Sequence, residues 1–340
     1  MFAYIVKRMI MGAFTVWAIT VLSFIVVQLP PRDAVDRLFD QLMDQGYGGG
    51  ITESDRSSAD ELRDYFGLDK PMYIRYLNWI WNMVRHGDLG RSIAYWDDHA
   101  HYYSVKEIIG ERLWLTVILT SFTIFVTWSM AIPIGIYSAV RQHSVGDYVF
   151  TFIGFTGLAV PDFLLGLVLM YVAYAYLGQS VGGLFSADYI NAEWSLARVR
   201  DLLNHLWIPA MVLGTSGTAS LIRIMRNNLL DELDKPYVVT ARAKGVTSFK
   251  VLVKYPLRVA VNPLISTVGY LLPSLVSGSV IVSLVLSLPT LGPQLLDALI
   301  IEDVYLVGFI VFMLGLLTVI GTLISDILLA IVDPRIKMTN

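Results

Sequence analysis

Cysteine is absent from this 340-residue chain, and charge is scarce, with Asp, Glu, Lys and Arg together making up 16%. The first absence excludes a disulfide-stapled secreted scaffold and any thiolate metal or redox centre. The second stands beside 55% apolar residues and a mean hydropathy of +0.60. That balance excludes a disordered chain and leaves a soluble globule with too little polar surface to cover itself. Gly-Lys-Ser and Gly-Lys-Thr are missing, so there is no P-loop, and His-Glu-x-x-His is missing, so that zinc motif is excluded too. A formal charge of -3 gives no basic footprint for nucleic acid. Long apolar sequence is what the chain has in quantity, and it reads as an integral membrane protein.

A helix crossing a hydrocarbon core about 30 Å thick needs roughly 20 mostly apolar residues. Six stretches qualify: 9–29, 113–140, 148–178 (interrupted only by Asp162), 202–222, one inside the uncharged run 259–296, and 304–325 continuing past Asp326 to 332. The run 259–296 exceeds one span and leaves room for a loop or re-entrant piece. Lys7 and Arg8 before the first stretch look like the start of a signal peptide. Its length, and Leu29-Pro30-Pro31-Arg32 in place of a small-residue cleavage site, predict a retained anchor instead. Lys and Arg set the orientation. With both termini inside, the internal segments hold 13 of the 25 basic residues, and 10 of the 12 outside fall in one long segment, 30–112, whose length weakens its vote. Outside then carries -9 and inside +8, so N-in, C-in is the expected topology.

Two connections exceed simple turns. The external segment 30–104 mixes acidic residues, a Gly48-Gly49-Gly50 break and the aromatics Tyr76, Trp79 and Trp81, with helical periodicity over 60–66 and 71–84. It predicts a small folded insert, with a solvated lid as the plainer reading. The internal segment 223–258 is basic and reads as two short helices broken at Gly245, where a positive φ or close approach suits glycine. Its charges also enforce topology. Pro133, Pro161, Pro209, Pro263 and Pro273 each remove a backbone donor, so the spans should kink against neighbours or water, although proline is common in membrane helices generally.

Chemistry is sparse. Gly214-Thr215-Ser216-Gly217 looks like the Gly-x-Ser-Gly of rhomboid-type intramembrane proteases, but no histidine follows it, and His205 lies 11 residues before Ser216, about 16 Å along one helix. The small residues there suit close helix packing better. Asp162 is the one carboxylate well inside a span. It either serves a functional path or satisfies backbone or water at the Pro161 kink.

The sequence Tyr237-Val238-Val239-Thr240-Ala241-Arg242-Ala243-Lys244-Gly245 resembles the EAA loop of ABC-importer membrane subunits, in the form typical of the dipeptide/oligopeptide/nickel permease family. The resemblance covers essentially the whole chain. It includes Phe66-Gly67-Leu68-Asp69-Lys70-Pro71, Gly87-Asp88-Leu89-Gly90-Arg91-Ser92, Gly157-Leu158-Ala159-Val160-Pro161, Pro289-Thr290-Leu291-Gly292 and Asp333-Pro334-Arg335-Ile336. Departures are Ser283 for a frequent acid, Glu302 for a common Arg, Trp114 for a common Pro, Asp162 for a small residue, and Pro30-Pro31-Arg32-Asp33 for Pro-Gly-Asp.

The resemblance implies an all-α, six-helix type I importer permease of the bacterial inner membrane, itself without catalysis or cofactor. It divides into an anchor (1–29), an external insert (30–104), a five-helix core (105–332) and a cytoplasmic tail (333–340). Implied partners are a second homologous permease subunit, two ATP-binding subunits, an external solute-binding protein and the lipid bilayer. Residues 239–245 would couple to the ATPases, Asp162 and Ser283 are candidates for the path, and Trp79 and Trp81 are candidate contacts for the binding protein. Peptides are the commonest solutes of this branch, with oligosaccharides, nickel complexes and opines as alternatives. An ion-coupled secondary transporter, the competing class, would need several embedded carboxylates and usually internal repeats. Asp162 alone qualifies, and no repeat is present.

Overall fold

Proline placement decides which apolar runs stay continuous. The computed structural model describes residues 2–29, 34–44, 53–96, 102–178, 182–278 and 280–332. They run in the order α1 (Phe2–Val27), α2 (Ala34–Asp44), α3 (Glu53–Tyr65), α4 (Met72–His86), β1 (Arg91–Trp96), β2 (Tyr102–Ser104), α5 (Val105–Val140), α6 (Val145–Ala159) and α7 (Asp162–Leu177). After a short 3-10 turn at Ala187–Tyr189 come α8 (Leu196–Leu233), α9 (Pro236–Ala243), α10 (Ser248–Lys254), α11 (Pro256–Ala260), α12 (Asn262–Gly278), α13 (Val280–Val285), α14 (Leu291–Ile301) and α15 (Val304–Val332). β1 and β2 pair antiparallel, the one sheet among the described residues. The segments Gly48-Gly49-Gly50, Pro30-Pro31-Arg32-Asp33 and Asp333-Pro334-Arg335-Ile336 lie outside the described residues.

Among the described residues, α1, α5, α8 and α15 are each long and apolar enough to cross a membrane as one helix. Pro133 and Pro209 sit inside α5 and α8 without ending them. The stretch 148–178 differs from a single span: it is two helices, α6 and α7, bent by 106°. Pro161 cannot donate and drives the residue before it out of helical geometry, and Val160 is extended at φ -85°, ψ 127°. The long uncharged run 259–296 holds α12, and its surplus folds into α13 and the start of α14.

The chain divides into two units, one within residues 9–115 and 290–316, the other within 1–8, 116–289 and 317–340. The first contains the folded insert, and the helical stretches expected at 60–66 and 71–84 belong to α3 and α4. Its core is Ala34, Leu38, Phe66, Ile93 and Ile301, drawn from α2, β1 and α14 and the end of α3. The second unit is built on α8. Leu221, Met225 and Leu229 of α8 are buried with Ala131 and Ala139 of α5, Ala260 of α11 and Leu264 of α12. A Cβ on Gly214 would lie 2.7 Å from Thr127 Oγ1, so the small residue lets α5 and α8 close together. In the same unit Arg8 of α1 and Asp326 of α15 form an ion pair at 3.1 Å, which puts the start of the first span and the end of the last on one side.

Candidate functional site

The internal segment builds its own small scaffold. Pro236 opens α9 at a position where a missing N–H costs nothing. Val238 and Ala241 of α9 and Val251 of α10 are buried together, with Val246 and Tyr255 packed against them. Between the two helices the chain reverses at Gly245, φ 75°. Its N–H donates to the Arg242 carbonyl at 2.9 Å, and the Val246 N–H donates to that of Ala241 at 3.3 Å. No atom lies within 4 Å of where a Cβ would stand, so backbone geometry alone requires glycine here. α10 packs on α11, which packs on α8, so the pair of short helices is carried by the longest helix of its unit.

Of the residues marked in the sequence, Ala241 enters this core. Val239, Thr240, Arg242, Ala243, Lys244 and Gly245 are exposed, so Ala243 contributes outward surface rather than internal packing. Tyr237, Val239, Phe249 and Val253 add exposed apolar area, Phe249 at 77%. They stand among the exposed cations Arg242, Lys244, Lys250 and Lys254. A fixed turn bearing an apolar face ringed by charge has the make-up of a protein-docking surface.

The second candidate region is the elbow between α6 and α7. Gly157, four residues before Pro161, faces α8 so closely that a Cβ would sit 2.6 Å from Thr215 Cγ2. Asp162 is the first residue of α7 and half-buried. The elbow is satisfied by backbone: the Pro161 carbonyl accepts from the N–H groups of Leu164 at 2.9 Å and Leu165 at 3.1 Å. The carboxylate of Asp162 forms no hydrogen bond or ion pair with another described residue. Its charge at a helix N-terminus is favourable. Ser283 is fully buried in α13. α13 packs on α7, where a Cβ on Gly166 would meet Leu286 at 3.3 Å, so both path candidates ride on one packed helix pair.

In the external unit the two tryptophans part company. Trp81 is 58% exposed, with Arg85 stacked over its ring at 5.2 Å. Trp79 is 3% exposed: it stacks on Phe24, donates from Nε1 to the Leu89 carbonyl at 3.1 Å, and fills the space over Gly308. The expectation that Trp79 offers surface to a partner is therefore corrected to a place in the core. Residues two apart on a helix point to nearly opposite faces, and only one of the two could be outward.

Sequence reasoning missed Asp303. It is fully buried, and Oδ2 accepts from Ser92 Oγ at 2.5 Å and from the Ile93 N–H at 2.8 Å. Oδ1 accepts from the Leu306 N–H at 3.0 Å, capping α15. One carboxylate thus fastens β1 to the start of a helix some two hundred residues away. Its neighbour Glu302, φ 63°, ends α14 and forms an ion pair with Arg37 of α2. Tyr95 donates to Asp297 Oδ2 at 3.0 Å. Partial burial, with the Asp297 charge second, pushes its phenol up to about 12. The Tyr305 hydroxyl donates to the Phe66 carbonyl at 3.1 Å. A signal for Asp303 was present: an acid immediately before a charge-free apolar run is a helix-start mark.

Across residues 131–338 the chain matches the family model described as binding-protein-dependent transport system inner membrane component. It is 36% identical to the oligopeptide transport system permease protein AppB of Bacillus subtilis, over 99% of this chain and 100% of that one. It is 29% identical to the dipeptide transport system permease protein DppB of Escherichia coli, over 99% of each. Among solved structures, a chain of the inward-facing MetNI methionine ABC transporter is similar with TM-score 0.49 and 17% identity, covering 67% of this chain and 97% of that one. The family's ATP hydrolysis resides on separate subunits, and its members work with a solute-binding protein. The broken helices, the charge-ringed internal turn and these full-length matches converge: the chain belongs to the binding-protein-dependent ABC importer permeases of the bacterial inner membrane.

Proposed function

We propose that the solute is a peptide and that a second, homologous permease subunit completes the path. The observation that carries the solute class is full-length similarity to AppB and DppB, whose names describe oligopeptide and dipeptide transport. In this reading α9–α10 is the element that receives force from the ATP-binding subunits. Its support is the rigid turn at Gly245 and the exposed apolar surface of Val239 and Phe249 beside Arg242 and Lys244. Asp162 and Ser283 border the path on the α7–α13 pair. The external unit receives the binding protein, with Trp81 as a contact and Trp79 holding the scaffold behind it. Oligosaccharide, nickel-complex and opine solutes remain the alternatives, and mass spectrometry of the ligand that co-purifies with the cognate binding protein distinguishes them.

Gly245→Val tests the coupling assignment. Valine at positive φ should strain the turn by on the order of 1–3 kcal/mol, with nothing nearby to clash, so the loop alone is perturbed. Reconstituted with its partner subunits, the variant should insert normally and bind the loaded binding protein, yet lose solute-stimulated ATP hydrolysis and uptake. Wild-type coupling would remove the loop from this role. Asp162→Asn should change the rate or preference of uptake at normal expression, and unchanged uptake would exclude Asp162 from the path.

A further inference from the structure

The cleft between α6 and α8 on the basic side is not used by any role assigned above. It encloses about 420 Å³. Phe150, Phe155, Leu158, Ala219 and Ile222 make it apolar toward one end, with Phe155 and Leu158 themselves exposed, and His143, Arg223 and Asn227 line it toward the other. The other two charged residues at that end cancel each other. Arg226 grips Asp147 through two hydrogen bonds, Nε to Oδ1 at 3.1 Å and Nη2 to Oδ2 at 3.0 Å. Arg223 is exposed and forms no ion pair or hydrogen bond with another described residue, which leaves one positive charge uncompensated at that end.

We infer that this cleft holds an acyl chain of an anionic phospholipid, with the phosphate at Arg223. The polarity runs the right way along both helices, from charge at one end to apolar side chains at the other. The dimension agrees as well. From Asp147 to Leu158 is eleven residues of helix, about 16 Å, or close to half of a hydrocarbon core about 30 Å thick. That is the depth of one leaflet. Tyr148, 62% exposed, stands at the headgroup level where amphipathic rings settle. An apolar protein helix laid in the cleft would bury Arg223 without a counter-charge, an expensive arrangement. A free phosphate would satisfy the arginine and leave the apolar walls uncovered. A phospholipid satisfies both, and it would tie the elbow-bearing α6 to α8.

The test uses the assembled importer purified in detergent, stripped of lipid, and then exposed to vesicles of phosphatidylglycerol or of phosphatidylethanolamine. Native mass spectrometry should find phosphatidylglycerol retained preferentially by the wild type. Arg223→Gln should lower that retention about fivefold, the weight of one cation near a membrane surface, while Arg223→Lys keeps it. Thr151→Trp, which fills the cleft, should expel both lipids. Equal retention of the two lipids by the wild type, or unchanged retention in Arg223→Gln, would overturn the proposal, as would displacement of the lipid by glycerol phosphate alone. The absence of cysteine provides one more arm. Efficient crosslinking of Thr151→Cys to the second permease subunit would assign the cleft to a protein partner and overturn the lipid reading.

Discussion

The insert around α2–α4 and the internal pair α9–α10 are both folded segments outside the spans, and both have a small apolar core, but the external one adds more buried polar contacts. The external unit is sewn through charge and hydrogen bonds: Asp303 to β1 and α15, Glu302 to Arg37, Tyr95 to Asp297. The internal pair rests on three buried apolar side chains, one glycine turn and a hydrogen bond donated by Tyr237 to Glu232. Directional bonds fix a geometry and fail abruptly when one partner is removed. A small apolar contact is less particular and leaves most of its surface to meet something else. The external unit thus has more of its side chains held by directional bonds, and the internal loop leaves more apolar surface exposed.

The sharpest way to break this contrast is at the two tryptophans. Trp79→Ala should cost about 3–5 kcal/mol, visible as a large fall in thermal stability of the detergent-solubilised protein. Trp81→Ala should stay within about 0.5 kcal/mol but weaken delivery from the binding protein. Equal effects on stability would erase the distinction between core and surface. Asp303→Ala comes next, at on the order of 3 kcal/mol, because it removes the acceptor of the buried Ile93 N–H and the cap of α15. Hydrogen exchange should show β1 and the first turn of α15 opening together. Protection that survives in β1 would mean that Asp303 does not fasten it.

The smallest effect is at Tyr95. Its folded-state value of about 12 lies above the ordinary 10.0, so the native state keeps a proton that the unfolded chain has lost. That contribution is complete below pH 10 and disappears as the pH rises through about 12. Wild type and Tyr95→Phe should therefore differ in stability at neutral pH and converge in strong alkali. A constant difference across that range would mean that neither burial nor Asp297 raises the Tyr95 phenol in the folded state.

Four of the six expected spans are continuous apolar helices among the described residues, a fifth is the bent pair α6 and α7, and the run 259–296 is divided among shorter helices; a basic loop with a glycine break speaks to two short helices. The 106° bend was less legible in the sequence: Pro161 announces a break, but proline also sits inside the continuous helices α5 and α8. What separates these cases is the packing of neighbours, such as Thr215 against Gly157, which periodicity does not carry. Asp303 escaped for a related reason. Its helix-capping half is local and readable, whereas its grip on Ser92 and Ile93 joins residues separated by 211 and 210 positions, beyond any single-sequence pattern. Trp79 was misassigned by treating aromatic content as surface without tracing the face on which each ring lies.

The elbow at Val160 and Pro161 has a mechanical corollary. α7 has 16 residues and is about 24 Å long, so any rotation at the two-residue elbow would act on it as on a lever. A rotation of about 10° at the pivot sweeps its far end through about 4 Å, by the geometry of that helix length. Gly166 sits a short way out along the lever, pressed on Leu286, so a small displacement at that fulcrum is magnified toward Gly178. Multiplying a slight shift in packing into a movement the size of a side chain would take no flexible linker, only an unbending rod and a corner that turns by a few degrees.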